Sequence, residues 1–309
     1  MSKAIHIPRG WSAVDIADQT GKRFLITGGT SGIGKEAARE LARSGAHVTI
    51  TARSARKGEA VLKEIAEERL SFVEMDLTDL SSVRKAVREL TDLYDVVILN
   101  AGIMAIPFSK TADGFETQMG TNHLGHFAFA GLIKERVRSR FVTVSSAAHR
   151  MGNFGSGTED EIRKICLGEN KYSSWGAYGN SKLANLYFAF ELERRARAQQ
   201  WSFSSIAVHP GYSNTHLQLV SSELRQAKAE QVITGLMNRL IAQSASQGAL
   251  PTLLAATHPH MWGGTFVSPN GLLEMRGTPK LTRAKTSAYD QTIAAHLWHV
   301  SESLTDVRW

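Results

Sequence analysis

A single cysteine, Cys166, occurs in 309 residues, which excludes an intramolecular disulfide and suits a reducing compartment. Long apolar runs are also missing. The longest, Phe127 to Ile133, falls well short of the ~18 apolar residues of a membrane-spanning helix, and Met1 to Trp11 has no apolar core like that of a secretory signal. These absences predict a cytoplasmic protein with no membrane span. His123, His126, His149 and His209 have no cysteines or carboxylates at zinc-like spacing, so they read as local hydrogen-bonding residues and no metal is expected. No G-x-S-x-G surrounds Ser146, which removes the support for a serine hydrolase. No low-complexity linker or internal repeat divides the chain, and a hydrophobic share of 42% is enough for a core. Charge of one sign is in modest excess, 36 basic against 29 acidic residues for a net +7. The basic residues are scattered among glutamates and no nucleic-acid motif accompanies them, so solvated surface is the better reading and no nucleic-acid partner is expected.

What is present begins with Thr27 to Gly34, TGGTSGIG. The stretch follows the short apolar run Arg23 to Ile26 and precedes Lys35 to Ala42, rich in helix formers, so it predicts a strand, a glycine turn and a helix. Gly28, Gly32 and Gly34 let the backbone turn sharply and approach a ligand closely. The free N–H groups at the helix start, around Thr30, Ser31 and Ile33, favour an anionic phosphate. A tight connection without a ligand would use similar residues. Further strands are expected over Ala46 to Thr51, Leu70 to Met75, Asp95 to Leu99, Phe141 to Ser146, Ser204 to Val208 and Gly263 to Val267, alternating with helical patterns. That alternation marks a doubly wound parallel sheet.

In dinucleotide folds, an acidic residue about 20 positions beyond the glycine turn holds the adenosine ribose, whereas an arginine there accommodates a 2′-phosphate. Here Arg53 and Ser54 end the second strand, Arg56 and Lys57 follow, and no carboxylate is present. NADP(H) is favoured over NAD(H), with Arg53 the first candidate; a merely solvated basic turn is the alternative.

The ordered series TGGTSGIG, Asp76-Leu77, Asn100-Ala101-Gly102, Asn122, Ser146, Tyr178-Gly-Asn-Ser-Lys182 and Pro210-Gly211 resembles the motif set of the short-chain dehydrogenase/reductase family. Ser173 to Tyr178, Ser181 to Leu186 and the closing Leu297-Trp298 to Val307 are similar to the branch with retinol dehydrogenases, WW-domain oxidoreductase and protochlorophyllide reductase. The resemblance implies an α/β, Rossmann-type doubly wound parallel sheet in a single domain, with strand order 3-2-1-4-5-6-7. Residues 1–20 would form an N-terminal arm and 21–309 the oxidoreductase domain. The interval from Ser146 to Tyr178 is longer than in most of the family, indicating an insertion at 152–175. A substrate lid is expected within 212–245, where Val232, Ile233, Leu236, Met237, Leu240 and Ile241 repeat at helical spacing; core packing explains that pattern equally well.

Tyr178 and Lys182 are four apart, so on a helix they share one face. A phenol with a reference pKa of about 10 is a poor acid or base near neutrality, and an adjacent ammonium is expected to lower it. The resemblance implies that Tyr178 exchanges the proton with a carbonyl or alcohol oxygen, that Ser146 (rather than Ser145) orients that oxygen, and that Lys182 also holds the nicotinamide ribose. Asn122 would kink a helix and support the proton relay, or else act as a simple helix cap. Gly28, Thr30, Ser31, Gly32, Ile33, Gly34, Arg53, Ser54, Asp76, Leu77, Asn100, Ala101, Gly102, Tyr178, Lys182, Pro210, Gly211 and Thr215 are the implied cofactor contacts. The expected function is NADP(H)-dependent hydride transfer with a small-molecule alcohol or carbonyl, lipophilic if the lid is real. A C=C reductase and a non-catalytic NADP(H)-binding regulator are the alternatives. The family often pairs through the helix after Asn122 and the helix carrying Tyr178, so a homodimer or homotetramer is an open expectation.

Overall fold

A computed structural model describes residues 5–212 and 243–309. A parallel strand covered on both faces needs apolar residues at consecutive positions. Strand β1 (Arg23–Ile26) meets that need, with Phe24, Leu25 and Ile26 fully buried. Phe24 and Ile26 join the core on one face of the sheet and Leu25 the core on the other. The chain continues through α1 (Gly32–Arg43), β2 (His47–Ala52), α2 (Ala55–Ile65), β3 (Leu70–Glu74), α3 (Leu80–Glu89) and β4 (Tyr94–Leu99). After a bent lead-in come α4 (Gly125–Ile133), β5 (Val137–Val144), α5 (Glu159–Leu167), α6 (Ser174–Gln199) and β6 (Ser204–Val208). Helix α7 (Ala245–Thr257), β7 (Phe266–Pro269), β8 (Pro279–Thr282) and α8 (Gln291–Thr305) complete the described residues.

The strands form one sheet in the order β3-β2-β1-β4-β5-β6-β7-β8. Strands β1 to β7 run parallel and β8 is antiparallel to β7. This is the Rossmann-type doubly wound sheet, in a single domain, with the expected seven-strand order and one strand more. Strand β8, Pro-Lys-Leu-Thr, carries no β-branched run that would announce it. Pairing with β7 through Ser268↔Lys280 and Pro269↔Pro279 defines it, and the sheet edge is where a strand tolerates proline. Helices α1 and α7 pack on one face with Trp11 of the N-terminal segment, and α3, α4 and α6 pack on the other. The reversal of strand order falls between β1 and β4, the place where sheets of this kind hold their ligands.

Within the region expected as an insertion, α5 starts on a Thr158 cap with Glu159, Asp160 and Glu161 in its first turn, where negative charge complements the helix dipole. It buries Ile162 and Cys166. Helix α8 covers α6 and α4 through an aromatic cluster. Trp298 stacks on Phe188 at 5.8 Å, Phe127 meets Trp298 edge-on at 5.1 Å, and Trp309 lies 5.6 Å from Phe127. The Arg195 guanidinium sits 4.4 Å above Trp298. No residue of α4 is exposed, so the pairing surface expected after Asn122 is enclosed by the chain's own C-terminal segment. The expected lid over 212–245 lies outside the described residues except for Tyr212 and Gln243 to Ala245. No helix among the described residues is long and apolar enough to cross a membrane.

Candidate functional site

The C-terminal ends of β1, β2, β4, β5 and β6 bring the singled-out residues to one edge of the sheet. At the end of β1, Gly28 and Gly32 both adopt positive φ, 68° and 53°, which side chains disfavour. A Cβ on Gly28 would come within 2.8 Å of Ala101 Cβ, so the glycine turn is pressed against the loop after β4. Asn100 locks the two together: its side-chain Nδ2 donates to the carbonyls of Thr27 at 2.9 Å and Gly28 at 3.3 Å. Ser31 precedes α1 in extended conformation without capping it through its side chain. Thr30 and Ile33 flank that uncapped turn. At the end of β2, Arg53, Arg56 and Lys57 are exposed, and their side chains make no ion pair or hydrogen bond among the described residues. Ser54 begins α2 without a side-chain cap bond. A glycine cradle, an uncapped helix start and unpaired cations fit a dinucleotide that carries phosphates.

Asp76 follows β3, and its Oδ1 accepts both the N–H and the hydroxyl of Thr78 at 2.9 and 2.8 Å. The Leu77 carbonyl packs so closely on Gly125 that a Cβ there would come within 2.6 Å of it. The lead-in to α4 is a π-turn over Gly120–Leu124, closed by Gly125 N donating to the Gly120 carbonyl. Asn122 therefore lies inside a distorted helix and is not a cap. Its Oδ1 accepts Ile103 N at 2.8 Å, and its Nδ2 donates to the Ile103 carbonyl at 2.9 Å and to Ser181 Oγ at 2.8 Å. A Cβ on Gly102 would stand 3.1 Å from Asn122 Oδ1 and 3.3 Å from Lys182 Nζ. The loop after β4 and the helix bearing the lysine thus converge at a glycine.

Helix α6 presents Tyr178 and Lys182, both buried. Lys182 Nζ lies 5.7 Å from the Tyr178 ring centre and donates to the Val144 carbonyl at 3.4 Å. The two serines after β5 have separated tasks. Ser145 Oγ donates to the Lys182 carbonyl at 2.7 Å and fastens β5 to α6. Ser146 Oγ accepts Ala148 N at 3.2 Å. Burial pushes the Tyr178 pKa up, and the Ser146 hydroxyl opposes that shift. The expected lowering by Lys182 is not what the structure gives, because desolvation of the phenol dominates. Burial also brings Lys182 itself down to about 8, since a buried ammonium loses hydration.

Pro210 and Gly211 follow β6, with Gly211 N donating to His209 Nδ1 at 3.0 Å; Thr215 lies outside the described residues. Among the described residues no group of histidine, cysteine and carboxylate side chains could hold a metal ion. Three sets of contacts join residues whose partners the sequence reading did not name. The Arg150–Glu274 ion pair, 3.0 Å, ties the loop after Ser146 to the loop after β7. His149 donates from Nδ1 to the Ser146 carbonyl at 2.6 Å and accepts Lys285 N at Nε2. His126 bridges Thr27 and Asn122. The histidines were visible as polar residues, but nothing in the sequence named their partners.

A glycine turn at the switch point of a parallel sheet, with a buried Tyr/Lys pair on the same edge, defines a nicotinamide-dependent oxidoreductase. The chain belongs to the short-chain dehydrogenase family, whose model matches residues 22–158. It is 38% identical over 306 residues to retinol dehydrogenase 12 of Mus musculus, covering 94% of this chain and 88% of that protein. It is 33% identical over 301 residues to the chloroplastic short-chain dehydrogenase TIC 32 B of Brassica napus, covering 91% and 88%. Among solved structures, an uncharacterized protein from Mycobacterium paratuberculosis superposes with a TM-score of 0.81 at 39% identity, over 97% of this chain and 98% of that one.

Proposed function

We propose that the protein is an NADP(H)-dependent oxidoreductase that interconverts a lipophilic alcohol with its carbonyl, through Tyr178, Ser146, Lys182 and Asn122. One observation carries the reading: the buried Tyr178 and Lys182 stand together on one helix, with Nζ 5.7 Å from the phenol ring centre, at the edge that also holds the glycine turn. A bound nicotinamide supplies or accepts the hydride. In reduction, Tyr178 donates its proton to the carbonyl oxygen, and its raised pKa keeps it protonated at neutral pH. Ser146 orients that oxygen and stabilises the charge that develops on it. Lys182, at about 8, is mostly an ammonium at pH 7, and with Nζ 5.7 Å from the ring centre it would act on a phenolate once the proton has left. Asn122 holds the loop after β4 and Ser181 of α6 in register. Arg53, with Ser54 beside it, takes the 2′-phosphate, and Gly28, Gly32, Gly34 and Asn100 to Gly102 shape the surface for the rest of the dinucleotide.

Support for a lipophilic substrate comes from the retinol dehydrogenases among the relatives. Met151, Leu272 and Leu273 are exposed on the two loops that Arg150 and Glu274 tie together. The test follows NADPH and NADH oxidation with a panel of lipophilic aldehydes, ketones and enones, with Tyr178→Phe as control. Turnover with NADPH that falls at least about 100-fold in the variant is expected from loss of a general acid. Equal NADPH binding by both proteins with no turnover would refute catalysis in favour of a regulator, and a saturated C–C product would replace carbonyl reduction with C=C reduction.

A further inference from the structure

Thr27 is fully buried at the end of β1. Its Oγ1 accepts the N–H of Asn100 at 2.9 Å and of Ala101 at 3.0 Å. Both lone pairs are thereby occupied, and His126 Nε2 lies 2.8 Å from the same oxygen. The other ring nitrogen of His126, Nδ1, is 3.0 Å from the Asn122 carbonyl, which can only accept. The proton of a neutral ring therefore sits on Nδ1 and Nε2 is bare, and the Thr27 hydroxyl donates to it at 2.8 Å in preference to the Ile98 carbonyl at 3.5 Å. From Asn122 the line continues through Nδ2 to Ser181 Oγ at 2.8 Å, and from Ser181 Oγ to the Tyr178 carbonyl at 2.8 Å. Every donor in this line has one direction, and every side chain in it is almost wholly buried.

We infer that His126 is a positioning residue that couples the dinucleotide turn to the helix carrying Tyr178, holding Thr27 with one ring nitrogen and the Asn122 carbonyl with the other. The inference rests on the oxidoreductase reading for its kinetic consequence but not for its structural one. With Thr27 oriented, the loop Asn100–Gly102 is clamped to the glycine turn, which sets the nucleotide surface. With the Asn122 carbonyl held, the π-turn keeps the Asn122 side chain on Ile103 and Ser181, which seats α6 behind Tyr178.

Two substitutions separate the two halves. In His126→Asn the amide nitrogen takes the place of Nδ1 and keeps the Asn122 bond, but the side chain is too short for Thr27. In His126→Gln the amide oxygen takes the place of Nε2 and accepts from Thr27, while the Asn122 bond is lost. The measurements are the NADPH dissociation constant by calorimetry, kcat at saturating NADPH, and hydrogen exchange of the Asn100 and Ala101 amides in the nucleotide-free protein. His126→Asn is expected to weaken NADPH binding about tenfold, the worth of one buried hydrogen bond, to speed exchange of both amides and to retain kcat. His126→Gln is expected to retain affinity and amide protection and to lose about tenfold in kcat. A uniform loss of affinity and kcat in both variants, in step with lost thermal stability, would overturn the inference in favour of a packing role, and so would no change in either. Should wild-type protein bind no NADPH, the nucleotide reading fails by itself. Amide exchange then decides the coupling alone: faster exchange in His126→Asn but not in His126→Gln upholds it, and any other pattern overturns it.

Discussion

Four histidines, His123, His126, His149 and His209, are buried with at most 2% of their surface exposed, and desolvation pulls their pKa values from 6.5 to about 3, 4, 4 and 3. Between about pH 4 and pH 6.5 the fold therefore holds them neutral while the unfolded chain protonates them. A group with a depressed native pKa contributes stability that is complete above its unfolded value and is lost as pH falls toward the native one. The window here opens near pH 6.5. At about 1.36 kcal/mol per pH unit and proton, each histidine forfeits about 2 kcal/mol by pH 5, and the four together about 8 kcal/mol. That is comparable to the whole stability of an ordinary domain, about 5–15 kcal/mol. Glu116 works the other way, because burial raises its carboxyl pKa, but it sets one proton against the four of the histidines. Urea unfolding at pH 7, 6 and 5 should show stability falling by about 5 kcal/mol per pH unit in the lower interval, with acid unfolding near pH 5. Substituting His123 with Gln should remove about one proton from that slope. A slope no steeper than one proton, about 1.4 kcal/mol per pH unit, would refute the reasoning, because it would mean that the fold accepts charged or hydrated imidazoles.

Arg53→Glu should weaken NADPH binding by ten- to about a hundredfold, the range for loss of a charge-assisted hydrogen bond, and leave NADH affinity little changed; equal loss for both nucleotides in calorimetry would disprove the 2′-phosphate role. Lys182→Met should abolish turnover yet stabilise the protein. With its native pKa drawn down from 10.5 to about 8, the buried ammonium costs up to about 3 kcal/mol at pH 7, so removing it should raise the unfolding free energy. The gain should shrink as pH rises from 8 toward 10.5, and a Met variant less stable at pH 7 would show that Lys182 is well compensated.

Much of the architecture was legible because burial on both faces of a parallel strand demands a local composition. Phe24-Leu25-Ile26 and Val96 to Leu99 could be read as interior strands before any partner was known, and the order of motifs placed the glycine turn, Asn122 and the Tyr178/Lys182 helix on one scaffold. Strand β8 escaped because its residues have no intrinsic strand pattern and take their conformation from β7. Ser146 is preferred to Ser145 only through the family resemblance, because the two are chemically identical neighbours. The folded chain separates them: Ser145 Oγ bonds the Lys182 carbonyl, and Ser146 Oγ accepts Ala148 N.

The sequence by itself determined the fold class and the residue types at the nucleotide turn, including the cations after β2 where a carboxylate would select NAD(H). These are local properties: apolar periodicity, glycine freedom and charge need no distant partner to be read. Tertiary structure alone decided the electrostatics and the coupling. Tyr178 is shifted up and not down because burial of the phenol outweighs the influence expected of Lys182. His126 joins Thr27 to Asn122 across 99 positions of sequence on the Thr27 side, and α8 encloses α4 from the far end of the chain. Desolvation and hydrogen-bond direction are set by whatever the folded chain brings alongside, and no stretch of sequence carries that information about itself.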